Sequence, residues 1–150
     1  EHLDSTLHSS WQFFLNAAGG SIAADARSES RVWGTAERTF YKKTISKKIS
    51  WSYSFFTEIG NRTVNAGYEK NTFEKIFKTK KVFEINPGAS LGLQLYLGKK
   101  VRLEGQAGPK VIFASGKNNY YDFDNGEPFS QKVNEIKAGY RFLGVVSVQF

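Results

Sequence analysis

The feature that most constrains this chain is a two-residue alternation of oily with small or polar side chains, kept up well beyond the usual length of a globular strand. From Phe83 the odd positions read Phe83, Ile85, Pro87, Ala89, Leu91, Leu93, Leu95 and Leu97, and the even ones Glu84, Asn86, Gly88, Ser90, Gly92, Gln94 and Tyr96. Successive side chains of an extended strand point to opposite faces, so this is a strand with one oily and one polar face. After Gly98-Lys99-Lys100 the pattern resumes over residues 101–113, which reads as a tight hairpin. It returns over 136–150 and, upstream, over 49–59, where Trp51, Tyr53 and Phe55 alternate with Ser50, Ser52 and Ser54. A turn at Gly60-Asn61-Arg62 is expected to lead into a short strand through Val64, Ala66 and Tyr68. Weaker strands fit 9–18 and 28–41, the second marred by Arg38 on its apolar face. About seven strands are thus recognised.

With 150 residues the chain, 1–150, is expected to form one domain. Its 15% aromatic content and negative mean hydropathy of -0.43 require interleaved apolar and polar residues. No stretch approaches the roughly 20 apolar residues of a membrane helix. Residues 1–20 lack a signal-peptide pattern, and a start at Glu1 with no Met fits a chain whose leader has been removed. Without Cys there is no disulfide frame, thiol nucleophile or Cys-ligated metal. The net charge of +7 lies in runs around Lys42–Lys48 and Lys70–Lys81 that no zinc-finger, helix-turn-helix or RNP-like pattern accompanies, so nucleic acid is not an expected partner.

Alternation alone does not separate a membrane barrel from a soluble one, because the two exchange which face meets the interior. Strand length, the small residues Gly88, Ser90, Gly92, Gly108, Gly139, Ser50, Ser52 and Ser54 on the polar face, and alternating short and long connections together favour the membrane. The expected fold is therefore all-β, an antiparallel up-and-down transmembrane β-barrel of about eight strands.

The last segment, with Tyr140, Phe142, Val146, Val148 and a final Phe150, resembles the closing strand of small outer-membrane β-barrels of Gram-negative bacteria. The resemblance implies that these five residues are an assembly signal read by the outer-membrane assembly machinery, with Phe150 on the periplasmic side. The turns near Gly60 and Gly98 then fall in the periplasm, while 71–80, 116–134 and the lysines at 42–48 become external. Seven strands conflict with the even count of bacterial barrels, leaving a strand in residues 1–8, a miscount between 19 and 41, or membership of a larger assembly.

Glu58, Glu84, Arg102, Glu104, Lys110, Lys137 and Arg141 share the polar face and are expected to pair in a lumen network rather than line a channel. Lys75, Lys78, Lys80 and Lys81 are candidate contacts for lipopolysaccharide phosphates. Phe73, Ile76 and Phe77 also have the spacing of a short amphipathic helical turn, against a projecting strand end as the other reading. Catalysis is not expected. The only histidines are His2 and His8, and no nucleophile elbow or phosphate-binding glycine loop is present. Asp122, Asp124, Asn125 and Glu127 lack the remaining positions of a calcium loop, and neither cofactor nor metal is expected. The expected role is non-catalytic, in the bacterial outer membrane: surface interaction, envelope structure, or a subunit with protein partners in an envelope complex. A soluble ligand-binding barrel or sandwich and a secreted pore-forming toxin are the alternatives.

Overall fold

The computed structural model describes residues 8–22, 27–46, 49–66, 76–97, 101–122 and 128–148, and every one of these segments is a β-strand. In chain order they are β1 His8–Ile22, β2 Arg27–Ser46, β3 Ile49–Ala66, β4 Ile76–Leu97, β5 Val101–Asp122 and β6 Pro128–Val148. Each pairs antiparallel with its chain neighbours in one up-and-down sheet. The all-β class and the up-and-down order agree with the alternation. The strand count does not: the sheet has six strands, not about eight, and among the described residues no pairing joins β1 to β6.

The expected turn at Gly60 accounts for the miscount. Gly60, Asn61 and Arg62 lie inside β3, opposite Trp33, Val32 and Arg31 of β2. A Cβ at Gly60 would lie 2.5 Å from the Cβ of Trp33, so this glycine serves a close approach to a bulky neighbour rather than a reversal. The supposed loops at 71–80 and 116–134 are also largely strand, since β4 begins at Ile76, β5 runs to Asp122 and β6 starts at Pro128. Ile76 and Phe77 are therefore extended, not helical, while Phe73, Asp124, Asn125 and Glu127 lie outside the described residues.

Ile22 and Arg27, Ala66 and Ile76, and Asp122 and Pro128 lie at one end of the sheet, the looped end, where four to nine residues separate consecutive strands; Ser46 and Ile49, and Leu97 and Val101, with two or three residues between them in sequence, lie at the other, the tight-turn end, where β1 begins and β6 ends. Lys42 and Lys43 of β2 thus lie at the tight-turn end, opposite the end that holds Lys78, Lys80 and Lys81, which corrects the expected grouping of the two lysine runs, while Lys47 and Lys48 lie outside the described residues.

The sheet is strongly curled. Arg141 on β6 reaches Glu37 on β2 at 2.7 Å. In a flat sheet, strands four places apart would lie about 19 Å from one another. Shorter crossings join Lys110 of β5 to Glu58 of β3 and Ser52 of β3 to Glu104 of β5. The concave face is nearly filled by polar groups: Glu37, Thr39, Asn86 and Gln94 are wholly buried, and the buried apolar side chains are few, Phe56, Val82 and Ala114.

Small residues make this filling feasible. A Cβ at Gly88 would lie 2.5 Å from the Cζ of Phe56 and 2.6 Å from the Pro109 carbonyl oxygen. Gly88→Val should therefore cost about 1–3 kcal/mol through overpacking. Urea unfolding in detergent micelles reads this directly, and an unchanged midpoint would contradict the tight contact with Phe56.

Candidate functional site

The concave face is layered. Nearest the tight-turn end is a hydrogen-bonded belt in which Ser50 donates to Gln94 at 2.9 Å, and Gln94 and Gln106 donate to Glu104 at 2.9 and 2.8 Å. Ser90 donates to Gln106 at 3.0 Å and lies 2.6 Å from Ser54. Alternate placement of Ser50, Ser52 and Ser54 on β3 keeps short hydroxyls at the depth the longer amides of β4 and β5 need. Gln94 would pass as an unimportant polar residue from alternation alone, yet it is fully buried and also accepts from Tyr96 at 3.0 Å.

The middle layer is ionic. Glu58 accepts from Lys110 at 2.8 Å and from Arg31 at 3.1 Å, and Arg141 stands 3.9 Å away. Glu84 pairs with Arg62 at 2.8 Å and Arg31 at 3.4 Å, while Arg62 also approaches Glu29 at 3.8 Å. Glu37 is held by Arg141 and by the Thr39 hydroxyl at 3.1 Å. Four cations thus face four carboxylates. Buried charge of one sign would be prohibitive, whereas alternating charges offset much of their desolvation. The Arg141 guanidinium also sits over the Phe56 ring, 4.3 Å from its centroid, and Arg31 over Trp33 at 4.6 Å.

Toward the looped end Glu135 pairs with Lys80 and, at 2.7 Å, with Lys137. Above them Tyr120 and Phe129 stack at 4.6 Å, with the Lys78 ammonium 5.1 Å from the Tyr120 centroid.

Of the seven expected network residues, Glu58, Glu84, Lys110 and Arg141 meet in the ionic layer, and Glu104 joins the amide belt. Arg102 reaches Glu104 only at 3.9 Å. Lys137 pairs with Glu135 at 2.7 Å, away from the ionic layer, and is 56% exposed. Alternation missed Arg31, Glu37 and Arg62. The first two sit at odd positions of β2, whose period Arg38 obscures, and Arg62 falls within the expected turn at Gly60-Asn61-Arg62. The usable signal was the run Arg31, Trp33, Thr35, Glu37, Thr39 and Tyr41 against Val32, Gly34 and Ala36. Arg38 does lie on the outer face, where its guanidinium covers Trp11 and Phe40 at 5.6 and 5.0 Å.

Lys78, Lys80 and Lys81 lie in β4 rather than a loop, and Lys75 is outside the described residues. Their side chains diverge: Lys80 turns inward to Glu135, while Lys81 is exposed. Tyr140, Phe142, Val146 and Val148 all lie exposed along the outer face of β6, and Phe150 is outside the described residues.

The outer face inverts the usual burial. Phe13 is 75% exposed, Leu15 84%, Leu91 67% and Phe142 80%. Outward-facing apolar residues run from Phe83 to Leu97 on β4, from Val101 to Phe113 on β5 and from Ile136 to Val148 on β6. At about 3.3 Å per residue and a tilt of about 40° these runs rise roughly 30–35 Å. Beyond them, toward the looped end, outward positions turn polar: Asn61, Thr63, Lys81, Ser115, Lys117, Asn119, Ser130 and Lys132.

Comparison with known proteins finds no family model, curated protein or solved structure that matches the chain.

Proposed function

We propose that this chain is the wall of a narrow β-barrel in the outer membrane of a Gram-negative bacterium, with a structural or surface-interaction role rather than a catalytic one. The observation that carries the reading is the inverted burial, with carboxylates, guanidinium groups and amides packed inside and a continuous band of aromatic and aliphatic side chains outside. Left in water, each large outward side chain forgoes about 1.5–3 kcal/mol of burial. Over some twenty residues this exceeds the roughly 5–15 kcal/mol by which domains are stable. A bilayer removes the deficit, and the apolar runs are long enough to span the roughly 25 Å band of such barrels. The filled, charge-balanced interior favours a plug of side chains over a conducting pore. The exposed alternate residues Tyr140, Phe142, Val146 and Val148 of β6 are in keeping with an assembly signal.

Among the described residues the outer sides of β1 and β6 are unpaired, which favours one elaboration, the subunit of an envelope complex. In lipid, open strand edges carry an uncompensated cost, so the seam closes in the membrane. The two edges run antiparallel, so either direct pairing or an inserted hairpin from a partner protein fits. Fractionation of native membranes tests both statements. The chain is expected in the outer-membrane pellet after alkaline and urea washes, released only by detergent, and the mass of the detergent complex shows whether a partner supplies strands. Recovery as a soluble monomer without detergent would sink the membrane reading.

A further inference from the structure

The outer face carries three lysines that strand pairing brings side by side. Lys81 of β4 stands directly opposite Lys117 of β5, and Lys117 directly opposite Lys132 of β6. All three are exposed and point outward. Directly opposed residues of adjacent strands hold their Cβ atoms about 5 Å apart, and like charges so placed repel. Among the described residues none of the three makes an ion pair, and their outward neighbours Thr79, Phe83, Ser115, Asn119, Ser130 and Asn134 carry no carboxylate. The contrast with the inner face is sharp: the next residue on β4, Lys80, turns inward and is matched to Glu135.

Position supplies the second observation. Phe83, one outward place below Lys81, ends the apolar run of β4, so the row lies where a bilayer's hydrocarbon would give way to headgroups. An open groove of about 400 Å³ adjoins it, lined by Asn61, Thr63, Lys81, Phe83, Lys117 and Asn119. It combines two ammonium groups and neutral hydrogen-bonding side chains with one aromatic ring at its lower edge.

We infer that Lys81, Lys117 and Lys132 form a binding row for the phosphomonoester groups of a phosphorylated glycolipid in the leaflet at the looped end. The inference rests on the membrane reading and adds to it a ligand class and a residue set. Three adjacent point charges suit a dianionic phosphate whose oxygens can be shared between neighbouring ammonium groups. Lys78 and Lys80, grouped with Lys81 by sequence proximity, are not part of it: Lys80 turns inward to Glu135 and Lys78 stands over the Tyr120 ring.

The test uses the full chain and its Lys81→Gln/Lys117→Gln/Lys132→Gln variant, both folded into phosphatidylcholine vesicles with and without lipid A. A control removes the same charge at the other end, Lys43→Gln/Lys99→Gln/Lys100→Gln. Without lipid A the row variant should be as resistant to unfolding as the parent, or more so, because cross-strand repulsion is relieved. With lipid A the parent and the control should bind it and gain resistance, and the row variant's affinity should fall about tenfold or more at low salt. The difference should shrink as salt rises. Equal lipid A binding by parent and row variant would overturn the assignment. An equal gain from millimolar inorganic phosphate alone would overturn the lipid source and make this a free-anion site. Failure of the parent to insert into phosphatidylcholine vesicles would instead sink the membrane reading on which the row depends.

Discussion

Replacing Arg141 with Leu is expected to destabilise the folded chain by about 3–5 kcal/mol, because the change strands a buried carboxylate rather than merely deleting a contact. Glu37 has no exposed surface, and Arg141 is its ion-pair partner at 2.7 Å among the described residues. The Thr39 hydroxyl would remain, but a neutral donor does not balance a full charge in a low-dielectric interior. Glu58 would suffer less, since Lys110 still reaches it at 2.8 Å. Removing both partners in Arg141→Leu/Glu37→Leu should recover much of the loss, giving a coupling of about 0.5–3 kcal/mol in a double-mutant cycle. Urea unfolding in detergent micelles is the measurement. Because this pair crosses from β6 to β2, additive single and double variants would mean that the curl does not bring those strands together in solution.

Leu91→Arg should cost about 2–4 kcal/mol for folding into lipid vesicles, whereas Leu97→Arg should cost about 0–1 kcal/mol. Both positions are outward-facing and exposed on β4. They differ in depth: Leu91 lies near the middle of the apolar run from Phe83 to Leu97, and Leu97 ends it. A guanidinium at the midplane must be carried through hydrocarbon, while one at the rim reaches headgroups and water. Detergent micelles adapt to the substitution, so the gap between the variants should narrow there. Equal costs at the two depths in vesicles would be incompatible with a bilayer around this face.

The lumen network and the outer face differ in how legible they are without coordinates. Outward residues of β4, β5 and β6 could be picked out one by one, because facing is a local property of an extended chain and repeats every second residue. The partners of Glu58 could not. Lys110 is two strands away and Arg31 lies on the strand before, and only register and curl bring them within 3.1 Å. Lys137 shows the converse. Its parity places it inward, but its position on β6, an edge strand among the described residues, leaves it more than half exposed.

The chain's own sequence determined that it would form long antiparallel strands with one oily and one polar face, since side-chain alternation and backbone extension are set within a few residues. Strand count was beyond it, because a glycine between apolar runs serves a turn or a close approach equally well, and only the Trp33 side chain opposite Gly60 decides which. The tertiary structure alone decided which four carboxylates meet which four cations on the polar face, and that Lys81, Lys117 and Lys132 stand in one row. Each of these depends on how strands far apart in sequence slide and bend against one another, which is a property of the whole sheet and of no single segment.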